Sequence, residues 1–159
     1  MEQQAAIDFK TVSTEDYELS LPENQKAFLI LFPCFPCDAA YTKRELGIEE
    51  LARNKGIAVL NMNFNQRLWL TTEEKKKLQG IIEGVVKEHQ IKIENTVMGG
   101  FSSGGNVSLL LTNYLVESES IIQPKALFIV DSPIDLWGLY ENAVRNVAKN
   151  YSEVAVSEA

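Results

Sequence analysis

The sequence is poor in histidine, cysteine and positive charge. It holds one histidine and two cysteines, and its 15 Lys and Arg face 22 Asp and Glu, which gives a formal net charge of −7. Nucleic acids and anionic membrane surfaces bind clustered Lys and Arg, so the composition predicts neither as a partner. No apolar run approaches the roughly 20 residues of a membrane span, and the first residues lack a secretory signal. We therefore expect a cytoplasmic protein with no membrane span.

The scarcity of cysteine and histidine also limits the chemistry. Two cysteines cannot form the disulfide framework of a small secreted scaffold. The sequence contains neither a cluster with the spacing of metal ligands nor a glycine-rich phosphate loop, so we expect no metal and no other cofactor. Nothing in the sequence indicates an oligomeric state.

Four apolar runs of strand length alternate with segments of helical periodicity. With 159 residues and 45% hydrophobic composition, we expect a single domain over residues 1–159. Apolar strands that alternate with helices predict an α/β fold with a mostly parallel sheet and helices on both faces. Two short alternating strands are predicted before them, at residues 6–12 and 16–22. The four runs are KAFLILFP (26–33), IAVLNMNF (57–64), NTVMGG (95–100) and KALFIVDSP (125–133), and helices are predicted over 39–54, 71–89 and 107–116.

A cluster of glycine and serine separates the third apolar run from the next helix. The sequence GGFSSGG (99–105) contains the pattern G-x-S-x-G with Ser102 at its centre. A nucleophile elbow needs a buried strand before the serine, a helix after it and small residues on both sides, and the sequence meets all three conditions. The pattern predicts that the turn exposes the Ser102 hydroxyl, and that the helix from Ser103 aims backbone N–H groups at a developing oxyanion. The alternative is a plain strand-to-helix turn with a serine N-cap.

From Lys26 to Trp137 the chain resembles the α/β-hydrolase superfamily. The resemblance rests on the first two apolar runs, the loop after the first run, the elbow, and the strand after the elbow. It implies a serine hydrolase that cleaves ester, thioester or amide bonds of a small-molecule acyl substrate, with Ser102 as the nucleophile. It also implies that the backbone N–H of Ser103 is one donor to the oxyanion.

The resemblance places the second oxyanion donor in the loop Pro33-Cys34-Phe35-Pro36-Cys37. The family usually has small residues or a His-Gly pair at this point. Proline has no N–H to donate, which excludes Pro36 and leaves Phe35 as the best match and Cys34 as the next.

A nucleophilic serine needs a base, and in this family the histidine follows both the serine and the acid along the chain. His89 precedes Ser102 by thirteen residues. Its helix leads to the amino edge of the sheet, so we expect a surface residue without a catalytic role. Asp131 ends the strand after the elbow, where some relatives carry the acid; the alternative is that it caps the following turn. Asp135 is predicted to cap the next helix.

The missing base has two explanations. Either the sequence is the front part of a longer hydrolase, or it is a short relative that keeps the fold as a non-catalytic binding module. A helical apolar stripe from Tyr140 to Val154 continues to the last residues without a glycine stop, which favours the first explanation. Residues 139–159 then resemble the start of the lid or cap helices that the family commonly has here. We expect no hydrolase turnover from this chain alone.

The cysteine pair suggests a third interpretation. Cys34-Phe35-Pro36-Cys37 lies between a strand and a helix, where it resembles the redox pair of thioredoxin-like proteins, and a helix N-terminus lowers the pKa of a thiol. That resemblance implies a thiol redox protein, but it does not explain the GGFSSGG turn or the parallel-type strands around it. The simplest alternative for Cys34 and Cys37 is two half-buried, reduced loop residues.

Overall fold

The computed structural model describes residues 8–64 and 68–157, with side chains as far as residue 149. The first two residues of the strand predicted at 6–12, and the last two of the lid segment predicted at 139–159, lie outside the described residues. Strands and helices alternate along the chain as β1 (Phe9–Ser13), β2 (Tyr17–Pro22), β3 (Ala27–Phe32), α1 (Ala39–Leu46), α2 (Glu49–Asn54), β4 (Ile57–Met62), α3 (Thr72–His89), β5 (Thr96–Phe101), α4 (Ser103–Glu117), β6 (Ala126–Val130) and α5 (Leu136–Ser157).

The described strands form one sheet in the order β1-β2-β4-β3-β5-β6. The apolar strands β4, β3, β5 and β6 are parallel to one another. The two N-terminal strands pair antiparallel, β1 with β2 and β2 with β4. The prediction of a mostly parallel sheet is therefore confirmed, and the carboxyl ends of the parallel strands share one edge.

Helices pack on both faces of the sheet. Each apolar strand contributes to both layers, because successive side chains of a strand point to opposite sides. Phe28, Ile30 and Phe32 of β3 belong to the larger core, which also contains the buried apolar positions of α3 and α4. Leu31, between them in sequence, belongs to a smaller core with Ala52 of α2. The alternation along β3 therefore divides the apolar interior between the two faces.

The prediction of a single helix over residues 39–54 is wrong, because the structure divides this segment into α1 and α2. Gly47 ends α1 in the left-handed conformation with φ of 58°, and its N–H donates to the carbonyl of Lys43 at 3.2 Å. A glycine has no Cβ to oppose this conformation and so ends a helix readily. The predicted capping box of α3 is confirmed, since Thr71 and Glu74 exchange hydrogen bonds between side chain and backbone.

The end of the described chain is less well covered than its centre. β6 has a neighbour on one side among the described strands, and Phe128 and Val130 are 36% and 45% exposed, although an apolar strand predicts cover on both faces. The predicted cap of α5 is confirmed, because the N–H of Gly138 donates to Oδ1 of Asp135 at 2.9 Å. No helix in the described ranges combines the length and apolarity that a bilayer crossing requires.

Candidate active site

The turn between β5 and α4 has a strained backbone at the serine. Ser102 has φ of 51° and ψ of −123°, and a positive φ is uncommon for a residue with a side chain. Two backbone hydrogen bonds hold the turn: the N–H of Ser102 donates to Val130 at 2.9 Å, and the N–H of Gly105 donates to Ser102 at 3.0 Å. Strand, turn and helix follow one another as a nucleophile elbow requires.

Glycines around Ser102 allow backbone segments to approach one another more closely than any larger residue would permit. A Cβ on Gly100 would collide with the backbone of Gly104, within the elbow itself. A Cβ on Gly104 would collide with the carbonyl oxygens of Phe32 and Pro33, at the end of β3. The glycine pattern therefore brings the elbow directly against the loop that follows β3.

That loop contains a disulfide between Cys34 and Cys37, whose Cα atoms are 5.0 Å apart. The N–H of Cys37 donates to the carbonyl of Cys34 at 2.8 Å, so a backbone hydrogen bond joins the same two residues as the disulfide. Asp38 follows and caps α1, accepting from the N–H of Tyr41 at 2.7 Å. The expectation of two reduced loop cysteines is thus wrong for this structure.

A cavity of about 360 Å³ lies at the carboxyl edge of the sheet, and Ser102, Asp131 and Cys34 all line it. The sequence places these three residues far apart, and the fold brings them to one wall. The remaining lining residues come from α1 and from the ends of β5 and β6: Tyr41, Thr42, Glu45, Leu46, Phe101 and Val130.

The α1 wall is the part of the site that sequence reasoning missed. Tyr41 and Glu45 are four residues apart and therefore share a helix face. Their position directly after the predicted oxyanion loop was the signal that could have identified them. Arg44 lies beside both, with Nε donating to Glu45 at 3.1 Å and the guanidinium 5.2 Å from the centroid of the Tyr41 ring.

The backbone N–H groups predicted as oxyanion donors come from two segments, the start of α4 and the loop after β3. Ser103 is the first residue of α4, so its N–H has no acceptor within the helix. Within the described part of the chain, the N–H groups of Cys34 and Phe35 donate to no protein acceptor. Phe35 does not line the cavity with its side chain, which is 63% exposed. The geometry leaves all three donors available.

Asp131 does not cap the turn that follows it. Its carboxylate is exposed on the cavity wall, and no hydrogen bond to it occurs among the described residues. Other groups hold the turn: Ser132 Oγ donates to the carbonyl of Val130 at 3.3 Å, and Asn106 Nδ2 donates to that of Pro133 at 2.9 Å. The capping alternative is therefore wrong, and the carboxylate stays available at the edge where Ser102 lies.

His89 is not a surface residue, because its side chain is only 2% exposed. Its Nδ1 lies 3.2 Å from Nζ of Lys10, within hydrogen-bond distance. The ring lies beside Gln25 and Lys92, before the amino ends of β3 and β5. Six residues of strand, about 20 Å, separate that edge from Ser102. The prediction that His89 lies opposite the serine is confirmed, and the predicted exposure is wrong, because the imidazole lies against Lys10 of β1.

No family model matches the chain, and no curated protein sequence matches it either. Solved structures do match, among them esterases and serine hydrolases of the α/β-hydrolase type. Together with the sheet order and the helix placement, these matches show that the chain has an α/β-hydrolase fold. The thioredoxin-like fold is wrong, since β5 and β6 extend the sheet as further parallel strands.

Three of these structures illustrate the likeness. Carboxyl esterase 2 from the mycorrhizal fungus Tuber melanosporum matches with a TM-score of 0.61 and 15% identity, over 86% of this chain and 48% of its own. The fluorophosphonate-binding serine hydrolase F of Staphylococcus aureus has a TM-score of 0.56 and 15% identity, over 72% and 53%. A bacterial heroin esterase has a TM-score of 0.55 and 16% identity, over 77% and 44%. The chain spans about half the length of each.

Proposed function

We propose that this chain carries the nucleophile and oxyanion donors of a serine hydrolase that cleaves ester, thioester or amide bonds. The observation that carries the proposal is the strained backbone of Ser102 on the wall of a cavity that Cys34 of the loop after β3 also lines. Strain of this kind persists only where the surrounding structure over-determines it, and it concentrates at functional sites. The names of the structural neighbours, esterases and a fluorophosphonate-binding hydrolase, support the same class.

In the proposed reaction, Ser102 Oγ attacks the carbonyl carbon and its proton passes to a base. The negative charge on the former carbonyl oxygen is stabilised by the N–H groups of Ser103 and Phe35, with Cys34 as the alternative second donor. Collapse of the tetrahedral intermediate expels the alcohol, thiol or amine with the proton and leaves an acyl ester on Ser102. Water then repeats the sequence and releases the acid.

The base is a histidine supplied from outside residues 1–159, because the single histidine of this sequence lies at the opposite edge of the sheet. Asp131 is the candidate acid that orients it, since its exposed carboxylate lines the same cavity as Ser102. A serine hydroxyl without a base is a poor nucleophile, so we expect no appreciable turnover from this chain by itself.

A fluorophosphonate probe tests the assignment of Ser102 as the nucleophile. The test uses a protein that includes the histidine proposed as the base. We expect the probe to label the wild type and to fail on Ser102→Ala. The matched control is Ser103→Ala, which removes a buried hydroxyl without a hydrogen-bond partner and keeps the backbone N–H, so labelling should persist. Equal labelling of the wild type and Ser102→Ala would refute the proposal.

The second candidate is a binding module that keeps the cavity and has no catalysis. It is favoured by one observation, the burial of the only histidine against β1 rather than near Ser102. The binding function is the correct one if the probe never labels the protein and a neutral ester nevertheless binds to it. Tyr41→Ala, which widens the cavity, should then weaken the binding of that ester.

A further inference from the structure

The Cys34–Cys37 disulfide lies at the entrance of the cavity that contains Ser102. Both cysteines are partly exposed, so the bond is within reach of solvent. The two are not equivalent, because Cys34 lines the cavity with Ser102 and Cys37 does not. A small thiol that enters the cavity therefore meets Cys34.

The disulfide also restrains the middle of its loop. The start of the loop is held where Pro33 meets Gly104, and the end is held where the N–H of Ala39 donates to Oδ1 of Asn63 at 2.8 Å. Between these two anchors the side chain of Phe35 is 63% exposed and contributes little packing. The covalent link between Cys34 and Cys37 spans Phe35 and so limits where its N–H lies.

We propose that Cys34 and Cys37 form a thiol–disulfide exchange site for a small thiol or dithiol, and that their oxidation state controls the order of the oxyanion loop. A thiolate attacks Sγ of Cys34, so that a mixed disulfide forms and the Cys37 thiolate leaves. A second thiolate attacks the sulfur of the first thiol and releases the Cys34 thiolate with a small-molecule disulfide. Two electrons pass from two small thiols to the protein.

The surroundings favour this direction of attack. Cys37 lies before α1, but the Asp38 carboxylate already caps that helix N-terminus, so the direction of attack rests on access rather than on the helix dipole. Exchange rates depend on access to the sulfur that is attacked, and the cavity gives access to Cys34. The exchange itself is independent of the hydrolase proposal; only its consequence for Ser102 rests on the proposed function.

Exchange can be measured on this chain with reduced glutathione as the small thiol. Free thiols and glutathione adducts are trapped by alkylation and read by intact mass, on the Ser102→Ala variant so that hydrolase chemistry has no part. We expect the folded chain to be reduced without denaturant. A chain whose disulfide resists glutathione until it is unfolded would overturn the proposal.

The attacked sulfur is identified by mapping the mixed disulfide on the wild-type chain. After brief treatment with reduced glutathione, acid quenching and tandem mass spectrometry of the loop peptide, we expect the glutathione adduct on Cys34, because the cavity gives access to it. An adduct on Cys37, or equal amounts on the two cysteines, would overturn the assignment of Cys34.

The loop is followed by amide hydrogen exchange on the wild-type chain, which needs no variant to fold. We expect reduction to speed exchange over residues 33–38 and to leave α3 unchanged. Unchanged exchange in the loop, or faster exchange in both segments, would overturn control by the disulfide. Loss of probe labelling in the hydrolase test would not affect any of these readouts, so the two proposals fail separately.

Discussion

The two ends of the parallel strands are completed in opposite ways. At the amino end, the buried side chain of Gln25 joins the approaches to β3 and β5. Its Nε2 donates to the carbonyls of Lys92 at 2.7 Å and Ala27 at 3.1 Å, and its Oε1 accepts from the N–H of Lys92 at 2.8 Å. With Nδ2 of Asn95, which donates to the carbonyl of Lys26 at 3.2 Å, side-chain amides satisfy backbone groups at this end.

At the carboxyl end, backbones meet directly and some donors stay free. Gly104 lies against the carbonyls of Phe32 and Pro33, while the N–H of Ser103, the first residue of α4, has no acceptor within the helix. Unsatisfied donors are costly in a protein interior, so they persist where a ligand can complete them. The comparison shows why one end of the same strands is structural and the other is the candidate site.

The largest effect is expected from Gly104→Ala at the carboxyl end. The added methyl group would collide with the carbonyl oxygens of Phe32 and Pro33, and backbone cannot move aside as a flexible side chain can. We expect a loss of about 3 kcal/mol in the free energy of unfolding, measured by urea denaturation.

Gly84→Ala in α3 is the matched control, because the same methyl group meets nothing within 4 Å there. Alanine is the better helix former, so this change should stabilise the chain by about 0.5–1 kcal/mol. If both variants are equally stable, close approach does not hold the elbow against the loop.

At the amino end, Gln25→Ala should cost about 2 kcal/mol, because it leaves the N–H and carbonyl of Lys92 and the carbonyl of Ala27 without their Gln25 partner. Gln25→Glu places a carboxylate oxygen against the two carbonyl oxygens that Nε2 contacts, so at neutral pH it should cost at least as much as Gln25→Ala. Urea denaturation measures both changes. A Gln25→Ala variant as stable as the wild type would remove the amino half of the comparison.

The smallest effect is expected away from both ends, at Glu83 of α3. Its Oε1 accepts hydrogen bonds from Gln79 and from Ser120, both at 2.8 Å. The hydrogen bond from Gln79 lowers the pKa of Glu83 below its ordinary value of 4.5, and those from Ser120 and the charge of Lys87 act in the same direction, against burial, which raises it. The charged carboxylate therefore stabilises the folded chain.

A lowered pKa in the folded state gives stability that is present above the ordinary pKa and is lost as the pH falls through the lowered one. Glu83→Gln should therefore cost about 1 kcal/mol at neutral pH. The difference from the wild type should disappear once Glu83 is protonated in both folded and unfolded states. Thermal unfolding from neutral to acid pH measures it, and a difference that is constant with pH would contradict the assignment.

Local patterns predicted the elements that local physics controls. The apolar runs became β3 to β6, and the capping box of Thr71 and Glu74 formed, because periodicity and caps depend on neighbours in sequence. The break at Gly47 was missed because a glycine within a helical pattern can be tolerated or can end the helix, and only its left-handed φ distinguishes the two.

The sequence by itself determined the alternation of strands and helices, the glycine-rich elbow at Ser102 and the absence of a second histidine. The first two depend on residues adjacent in sequence, and the third is a matter of composition. Only the tertiary structure decided that Cys34 pairs with Cys37, that α1 forms a cavity wall, that His89 is buried under β1 and that β6 lies at the edge of the described sheet. These features depend on contacts between segments distant in sequence, and such contacts are set by the packing of the whole sheet and its helices rather than by local propensity.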